Sequence, residues 1–201
     1  MLFFGIIKEP AITPSADDHI LVKRVQAGNR EAFDELVKRY YGAVYNLAAH
    51  SIQNGEERED VIQEIFLKAY RSISGFRFQA AFSTWLYSIA KNMLIDISRK
   101  KHPLQVSIEK EAGGIRIGDT LSDSRDDPEK RLMENNAEIS LRKALMNLEE
   151  NHKQILILRE MEGLSYMELS KALGINIGTV KSRLARAREE LRIILSEKYP
   201  A

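Results

Sequence analysis

The amino-acid sequence predicts an all-α protein, with two small helical domains joined by a flexible acidic linker. Apolar residues recur at three- and four-residue steps through most of the chain, which is the pattern of amphipathic helices. The alternation typical of β-strands is missing. The helical pattern stops over residues 104–130, where glycine, aspartate and proline leave little to pack. Such a stretch is too long for a structureless loop within one compact domain, so it indicates a linker.

The composition limits the functions that the chain can have. Its 201 residues are 44% apolar, which is enough for a buried core, and they include no cysteine. Disulfides, thiolate metal sites and a cysteine nucleophile are therefore excluded, and the cytoplasm is the expected location. The four histidines stand apart, and the sequence contains no Gly-rich phosphate loop and no Gly-x-Ser-x-Gly. We therefore expect a protein that is not an enzyme and that uses no metal or other cofactor.

The first domain is predicted over residues 17–103, after a loose arm at residues 1–16 that is too short to span a bilayer. Breaks at Gly28-Asn29 and at Gly55 divide the first part of this domain into three helices. The loop Ser74–Ala81 then leads into a fourth helix. The predicted bounds of the third and fourth helices are about Glu57–Ile73 and Phe82–Lys101.

The second domain is predicted over residues 131–199, and a pair of short helices is its most informative feature. Ser165 and Glu168 have the spacing of a capping box, which starts a helix. Gly174 is placed to end that helix with a positive φ, and Asn176 can cap the next one. Two short helices joined by a glycine turn are the signature of a helix-turn-helix motif.

The second helix of this motif carries basic residues on one face. At about 100° per residue, Val180, Leu184, Ala187 and Leu191 form a packing stripe. The opposite face consists of Lys181, Ser182, Ala185, Arg186 and Arg188. Lysine, arginine and serine on an exposed face suit phosphates and guanine edges in a DNA major groove.

A second candidate DNA surface lies on the predicted fourth helix. Its buried stripe is predicted to be Phe82, Leu86, Ile89 and Met93, with Trp85 beside it as a core residue. The opposite face consists of Thr84, Tyr87, Ser88, Lys91 and Arg99. Tyrosine and basic residues interleaved with small hydroxyls suit single-stranded DNA, which needs a stacking surface and phosphate partners together.

These two motifs resemble those of the extracytoplasmic-function (ECF) sigma factors, the compact two-domain class of bacterial sigma factors. The resemblance covers about residues 17–197. The residues that match region 2.2 of the family are Asp60, Val61, Gln63, Glu64 and Phe66. Those that match regions 2.3 and 2.4 are Phe82, Thr84, Trp85, Leu86, Ile89, Ala90, Asn92, Asp96 and Arg99. Gly163-Leu-Ser-Tyr166 and the run from Gly178 to Arg188 match region 4.2. One departure is Phe78-Gln79, where the family usually has glycine and a polar residue.

The resemblance implies a factor that directs core RNA polymerase to promoters and promotes DNA opening, with the polymerase β′ clamp and β flap as contact points. The residues implied in core polymerase binding are Asp60, Gln63, Glu64 and Phe66. Those implied at the −10 element are Phe76, Arg77, Thr84, Tyr87, Ser88, Lys91, Asn92 and Arg99. Those implied at the −35 element are Thr179, Lys181, Ser182, Arg183, Arg186 and Arg188. It also suggests an anti-sigma factor as a partner, which would hold the chain at the inner membrane face, and no small-molecule substrate.

Two alternative functions are weighed against this one. A helix-turn-helix regulator with an N-terminal sensing or dimerisation domain explains residues 131–197 but gives no reason for the pattern between Asp60 and Arg99. A nuclease or RNA-processing enzyme would need clustered catalytic acids or histidines. The acids between Glu56 and Glu64 have no nearby histidine or calcium-type loop, so they predict a solvated or protein-contacting face.

Overall fold

The structure is a computed structural model that describes residues 16–101 and 139–198. The predicted linker, residues 104–130, and all but the last residue of the predicted arm, residues 1–16, lie outside this part. The N-terminal half consists of α1 (Ala16–Gln26), α2 (Glu31–Ala49), α3 (Gly55–Ser72), a 3₁₀ turn (Ile73–Gly75) and α4 (Phe82–Lys101). The C-terminal half consists of α5 (139–146), α6 (Glu150–Leu156), a π-helical turn (Ile157–Met161), α7 (Tyr166–Leu173) and α8 (Ile177–Lys198). The described residues form helices and turns without a strand, so the all-α prediction is confirmed.

The predicted helix boundaries in the N-terminal half coincide with local capping chemistry. Gly28 follows α1 with φ of 95°, a left-handed conformation that glycine adopts without a Cβ clash. The side chain of Asn29 accepts a hydrogen bond from the Ala32 N–H at 3.0 Å, which satisfies a free donor at the start of α2. Asn54 caps α3 in the same way by accepting from the Glu57 N–H at 2.9 Å.

The helix-turn-helix of the C-terminal half has the predicted geometry. Ser165 and Glu168 form both hydrogen bonds of a capping box at the start of α7. Gly174 ends α7 with φ of 67°. Asn176 then accepts from the Thr179 N–H at 2.8 Å and starts α8. The predicted packing stripe of α8, which contains Val180, Leu184, Ala187 and Leu191, is buried as expected.

The two halves pack against each other through α4. One side of α4 contacts α2 and α3, and another contacts α6 and α7. Polar contacts also cross between the halves, including Ser51 Oγ donating to Glu150 Oε1 at 2.6 Å and Lys171 Nζ donating to the Gln79 carbonyl at 2.9 Å. Buried apolar residues of both halves therefore form one continuous core. The sequence predicted two separate helical units and did not predict this contact.

Candidate functional site

The outer face of α3 carries a shallow groove. It is lined by Asp60, Gln63, Glu64 and Leu67 and has a volume of about 470 Å³. The first three are exposed, as expected for residues that contact a partner, and Leu67 is also 40% exposed although it is apolar. An exposed leucine beside carboxylates is suited to a protein surface that carries both apolar and basic side chains.

Phe66 does not belong to this groove. It is only 7% exposed and packs in the core beside the buried residues Ile62, Ile65 and Ala69. Phe66 is therefore a core residue in this structure, and its predicted contact with core polymerase stays a prediction. The reason for its burial is helical geometry, because Phe66 lies one residue past Ile65 on the inward side of α3, where aromatic surface is best removed from water.

The loop between α3 and α4 is held by aromatic packing. Phe76 is buried, and its ring lies 5.1 Å from that of Trp85 and 5.0 Å from that of Phe78. Phe76 is therefore a core residue, and the prediction that it contacts −10 DNA is not supported. Arg77 is exposed beside it, as expected. Phe78 has φ of 58°, a conformation that favours glycine, at the position where the resembling family usually has glycine.

The predicted DNA face of α4 is partly buried, and two of its residues, Tyr87 and Lys91, bond to the C-terminal half. Thr84 is 2% exposed and Tyr87 is 1% exposed. Their predicted placement on an open face is thus wrong in this arrangement, because the sequence analysis treated the two halves as separate. The Thr84 hydroxyl is buried without a hydrogen-bond partner among the described residues. This polar group of the α4 face is therefore unsatisfied in the docked arrangement, which costs stability.

Tyr87 joins the two halves by a buried hydrogen bond. Its hydroxyl donates to Glu162 Oε2 at 3.0 Å, and Asn46 also hydrogen-bonds the same carboxyl group. Glu162 follows the π-helical turn, and its backbone N–H bonds to the Ile157 carbonyl. Burial raises the pKa of Glu162, and hydrogen bonds from Tyr87 and Asn46 partly oppose that shift. Burial also raises the pKa of Tyr87, so this hydroxyl stays a donor at neutral pH.

The remaining residues of the α4 face differ in accessibility. Lys91 is half-buried and donates to the Leu173 carbonyl at the end of α7 at 3.3 Å. Its pKa is lowered by burial and by the nearby guanidinium groups of Arg183 and Arg99. Ser88 is also half-buried and donates to the Trp85 carbonyl at 2.7 Å. Asn92 and Arg99, by contrast, are exposed as predicted.

The basic face of α8 is open at most of the predicted positions. Lys181, Ser182 and Arg186 are exposed, and Thr179 and Arg183 are half-buried. Arg188 is also exposed, but it forms an ion pair with Glu160 at 2.6 Å. That carboxylate is less exposed than the guanidinium, and their hydrogen bond raises the pKa of Arg188. DNA binding through Arg188 would have to break or share this pair.

Three residues with structural contacts at these surfaces were not predicted from the sequence. They are Gln26, which bonds to the loop; Glu162, which bonds to Tyr87; and Lys171, which bonds to the Gln79 carbonyl. The bonded residues are far apart in the sequence. Gln26 and Ile73 are separated by 47 positions, Tyr87 and Glu162 by 75, and Lys171 and Gln79 by 92. No local pattern can reveal such partners. The described residues also contain no group of side chains able to hold a metal ion.

Comparison with known proteins decides between the candidate functions. The Sigma-70 region 2 family matches residues 36–103, and the Sigma-70, region 4 family matches residues 138–191. The RNA polymerase sigma-H factor of Pseudomonas aeruginosa is 36% identical over 176 residues, covering 87% of this chain and 91% of that protein. The ECF RNA polymerase sigma-E factor of Escherichia coli is 38% identical over 178 residues, covering 87% of this chain and 92% of that protein. The chain belongs to the ECF sigma factors.

Solved structures agree with this ECF sigma factor in fold. CnrH in complex with the cytosolic domain of CnrY matches with a TM-score of 0.64 at 23% identity, covering 89% of this chain and 97% of that one. The sigma factor RpoE of Bartonella quintana, in complex with the anti-sigma factor NepR, matches with a TM-score of 0.61 at 25% identity, covering 82% and 97%. As an ECF sigma factor, the protein directs core RNA polymerase to promoters at transcription initiation. Sigma factors are known as transcription initiation factors without enzymatic activity of their own. None of the described helices is long and apolar enough to cross a membrane.

Proposed function

We propose that three surfaces of this ECF sigma factor divide the work of initiation. The α3 groove binds core polymerase, the α3–α4 loop with the α4 face captures the melted −10 strand, and α8 enters the major groove at the −35 element. The single observation that carries the proposal is the α3 groove, where Asp60, Gln63, Glu64 and the exposed Leu67 share one face of the helix. All four side chains are exposed in the free chain.

Strand capture by α4 requires the two halves to separate. Tyr87 bonds to Glu162 of the C-terminal half, and Lys91 donates to a carbonyl of α7. Thr84 is buried in the same arrangement. The buried Thr84 hydroxyl has no hydrogen-bond partner among the described residues, and an open state that exposes it would let it bond to water or to DNA. The free chain is then expected to bind −10 DNA weakly, and core polymerase favours the open state by binding the halves apart.

Recognition of the −35 element needs less rearrangement. Lys181, Ser182 and Arg186 already point away from the packing stripe of α8. Arginine can bond to both acceptors of a guanine edge, whereas lysine and serine suit phosphates and bases alike. The module is small, so its affinity for DNA is low until core polymerase fixes its spacing from the −10 surface.

The proposal includes the remaining properties expected from the family. The chain has no catalytic activity of its own, and it acts in the cytoplasm, where its polymerase partner acts. An anti-sigma factor is a further partner, because the RpoE structure of the same fold contains one. A partner of this kind would inhibit the chain if it held the two halves in the docked arrangement.

The α3 groove is tested by reversing its charge. Asp60→Lys combined with Glu64→Lys is expected to abolish binding to core polymerase, because two carboxylates one turn apart become two cations. The matched control is Glu31→Lys with Glu35→Lys, which makes the same charge change at the same spacing on an exposed face of α2. Core affinity is measured by sedimentation with purified core, and folding by helical content. Unchanged core affinity in the first variant, at unchanged helical content, would remove this groove from the mechanism.

A further inference from the structure

The side chain of Gln26 connects the end of α1 to the loop that follows α3. Its amide nitrogen donates to the Ile73 carbonyl at 2.8 Å and to the Phe76 carbonyl at 3.0 Å. A glutamine amide has two N–H donors, so both are used on this one loop. The two bonds bracket the 3₁₀ turn Ile73–Gly75 and fix its ends relative to α1.

These two bonds decide which way the loop backbone faces. The peptide bonds are trans, and in a planar trans peptide the carbonyl and the following N–H point in opposite directions. With the Phe76 carbonyl turned toward Gln26, the Arg77 N–H points away from α1. No acceptor among the described residues takes this N–H. The exposed loop therefore presents a fixed donor beside the guanidinium of Arg77.

The helix that carries Gln26 is itself held firmly. Asp18 of α1 is buried and bonds to both Arg39 and Tyr40 of α2. At the other end of the loop, the His19 ring lies 4.3 Å from the ring of Phe78, whose backbone has φ of 58°. The loop is thus clamped to α1 on both sides of Arg77, by the Gln26 amide before it and by the aromatic pair after it.

We propose that Gln26 is a specificity-determining positioning residue for the −10 element. It does not contact DNA; it holds the loop so that the Arg77 N–H meets an acceptor on an unstacked base. A loop ordered before binding loses less conformational entropy when the base enters, and a fixed donor discriminates between bases that a mobile donor would accept equally. This inference rests on the proposed role of the loop in strand capture.

The test replaces the two donors without removing bulk. Gln26→Glu keeps the shape of the side chain but places a carboxylate against two carbonyl oxygens, and Gln26→Leu removes the donors without adding charge. The matched control is Gln53→Glu, an exposed position beyond the other end of α2. Each variant is assembled with core polymerase and assayed by transcription from a library that varies every base of the −10 and −35 elements.

Both Gln26 variants are expected to lose about tenfold in discrimination at one −10 position, because the Arg77 N–H is no longer held toward the base and one hydrogen bond of ordinary net strength to that base is lost. Preference at the −35 element, core affinity and helical content stay unchanged, and Gln53→Glu behaves like the parent. A general loss of stability would lower transcription from all promoters alike. It would not change the ratio of transcription between promoters that differ at this −10 position. Parental −10 discrimination in both variants would overturn the role of Gln26 while leaving strand capture standing. If the parent protein, assembled with core polymerase, showed no base preference in the −10 element, both the role of Gln26 and strand capture by the loop would be overturned.

Discussion

Replacing Glu162 is expected to open the contact between the two halves. In Glu162→Ala the buried Tyr87 hydroxyl loses its acceptor, and Asn46 loses its carboxyl partner. Glu162→Gln keeps the size of the side chain and one acceptor oxygen but removes the charge. The two variants therefore separate the contribution of the hydrogen bond from the cost of burying a carboxylate.

The magnitude follows from burial. Tyr87 is 1% exposed and Glu162 is 7% exposed, so a hydroxyl left without an acceptor has no access to water while the halves stay docked. Such a group costs about 1–3 kcal/mol. Every 1.4 kcal/mol changes an equilibrium about tenfold, so Glu162→Ala should raise the ratio of open to docked chains by roughly five- to a hundredfold. Glu162→Gln should leave the chain docked.

The pH dependence of docking has a defined sign. Burial raises the pKa of Glu162 above its usual value of 4.5 in the docked state, so that state binds the proton more tightly than the open one. The contribution of protonated Glu162 to docking is fully present below about pH 4.5 and is lost as the pH rises through the raised pKa of Glu162. Docking of the parent should weaken with rising pH over this window, and Glu162→Gln should abolish that dependence.

The assay uses the absence of cysteine from the chain. Cysteines introduced at two exposed positions, Lys38→Cys in α2 and Ser196→Cys in α8, carry labels for a distance measurement between the halves. Glu160→Ala is the matched control, because its carboxylate pairs with Arg188 inside the C-terminal half. A distance distribution in Glu162→Ala identical to that of the parent would refute the proposed role of this bond in docking.

Three further predictions concern other residues. Burial lowers the pKa of His50 from 6.5 to about 4, so stability should fall by about 3 kcal/mol as pH drops through this range, and His50→Gln should lose that acid sensitivity in urea unfolding. Phe78→Gly should be more stable than Phe78→Ala by about 1 kcal/mol in thermal unfolding, because both lose the ring but only glycine relieves the positive φ. Arg186→Ala should lose about 1–3 kcal/mol of −35 binding at one guanine, measured by DNA titration.

Different outcomes would contradict each of these. An acid unfolding curve for His50→Gln that matches the parent would assign the acid sensitivity to other groups. Equal stability of the glycine and alanine variants would mean that Phe78 stores no backbone strain. An equal loss in Arg186→Ala on every DNA sequence would make this side chain a phosphate contact and place base recognition elsewhere on α8.

Local chemistry made the helix-turn-helix predictable from the sequence. The capping box of Ser165 and Glu168, the turn at Gly174 and the stripe from Val180 to Leu191 depend on residues within a few positions of each other, and all are present in the structure. The exposed carboxylates of Asp60 and Glu64 were predictable for the same reason, because helical periodicity decides which side of α3 faces outward.

The α4 face was predicted less well because its surroundings are not local. Helical periodicity places Thr84 and Tyr87 on the side away from the stripe of Phe82, Leu86, Ile89 and Met93, and the sequence analysis took that side to be exposed to solvent. In the structure both residues are buried, and Tyr87 bonds to Glu162 of the C-terminal half. Phe76 differs from the prediction for another reason. An aromatic ring in a loop can either stack on a base or pack in a core, and the Phe76 ring packs against Trp85 in the core.

The sequence by itself determined the family, the helices of the first domain, and the helix-turn-helix with its caps, because these depend on short-range periodicity and on motifs of a few residues. The tertiary structure decided which of those surfaces is open. The bonds from Gln26 to the loop and from Tyr87 to Glu162 join residues 47 to 75 positions apart. Contacts at that separation form only when whole helices pack. Each one closes a long loop, and a single hydrogen bond does not offset the conformational entropy that this closure costs.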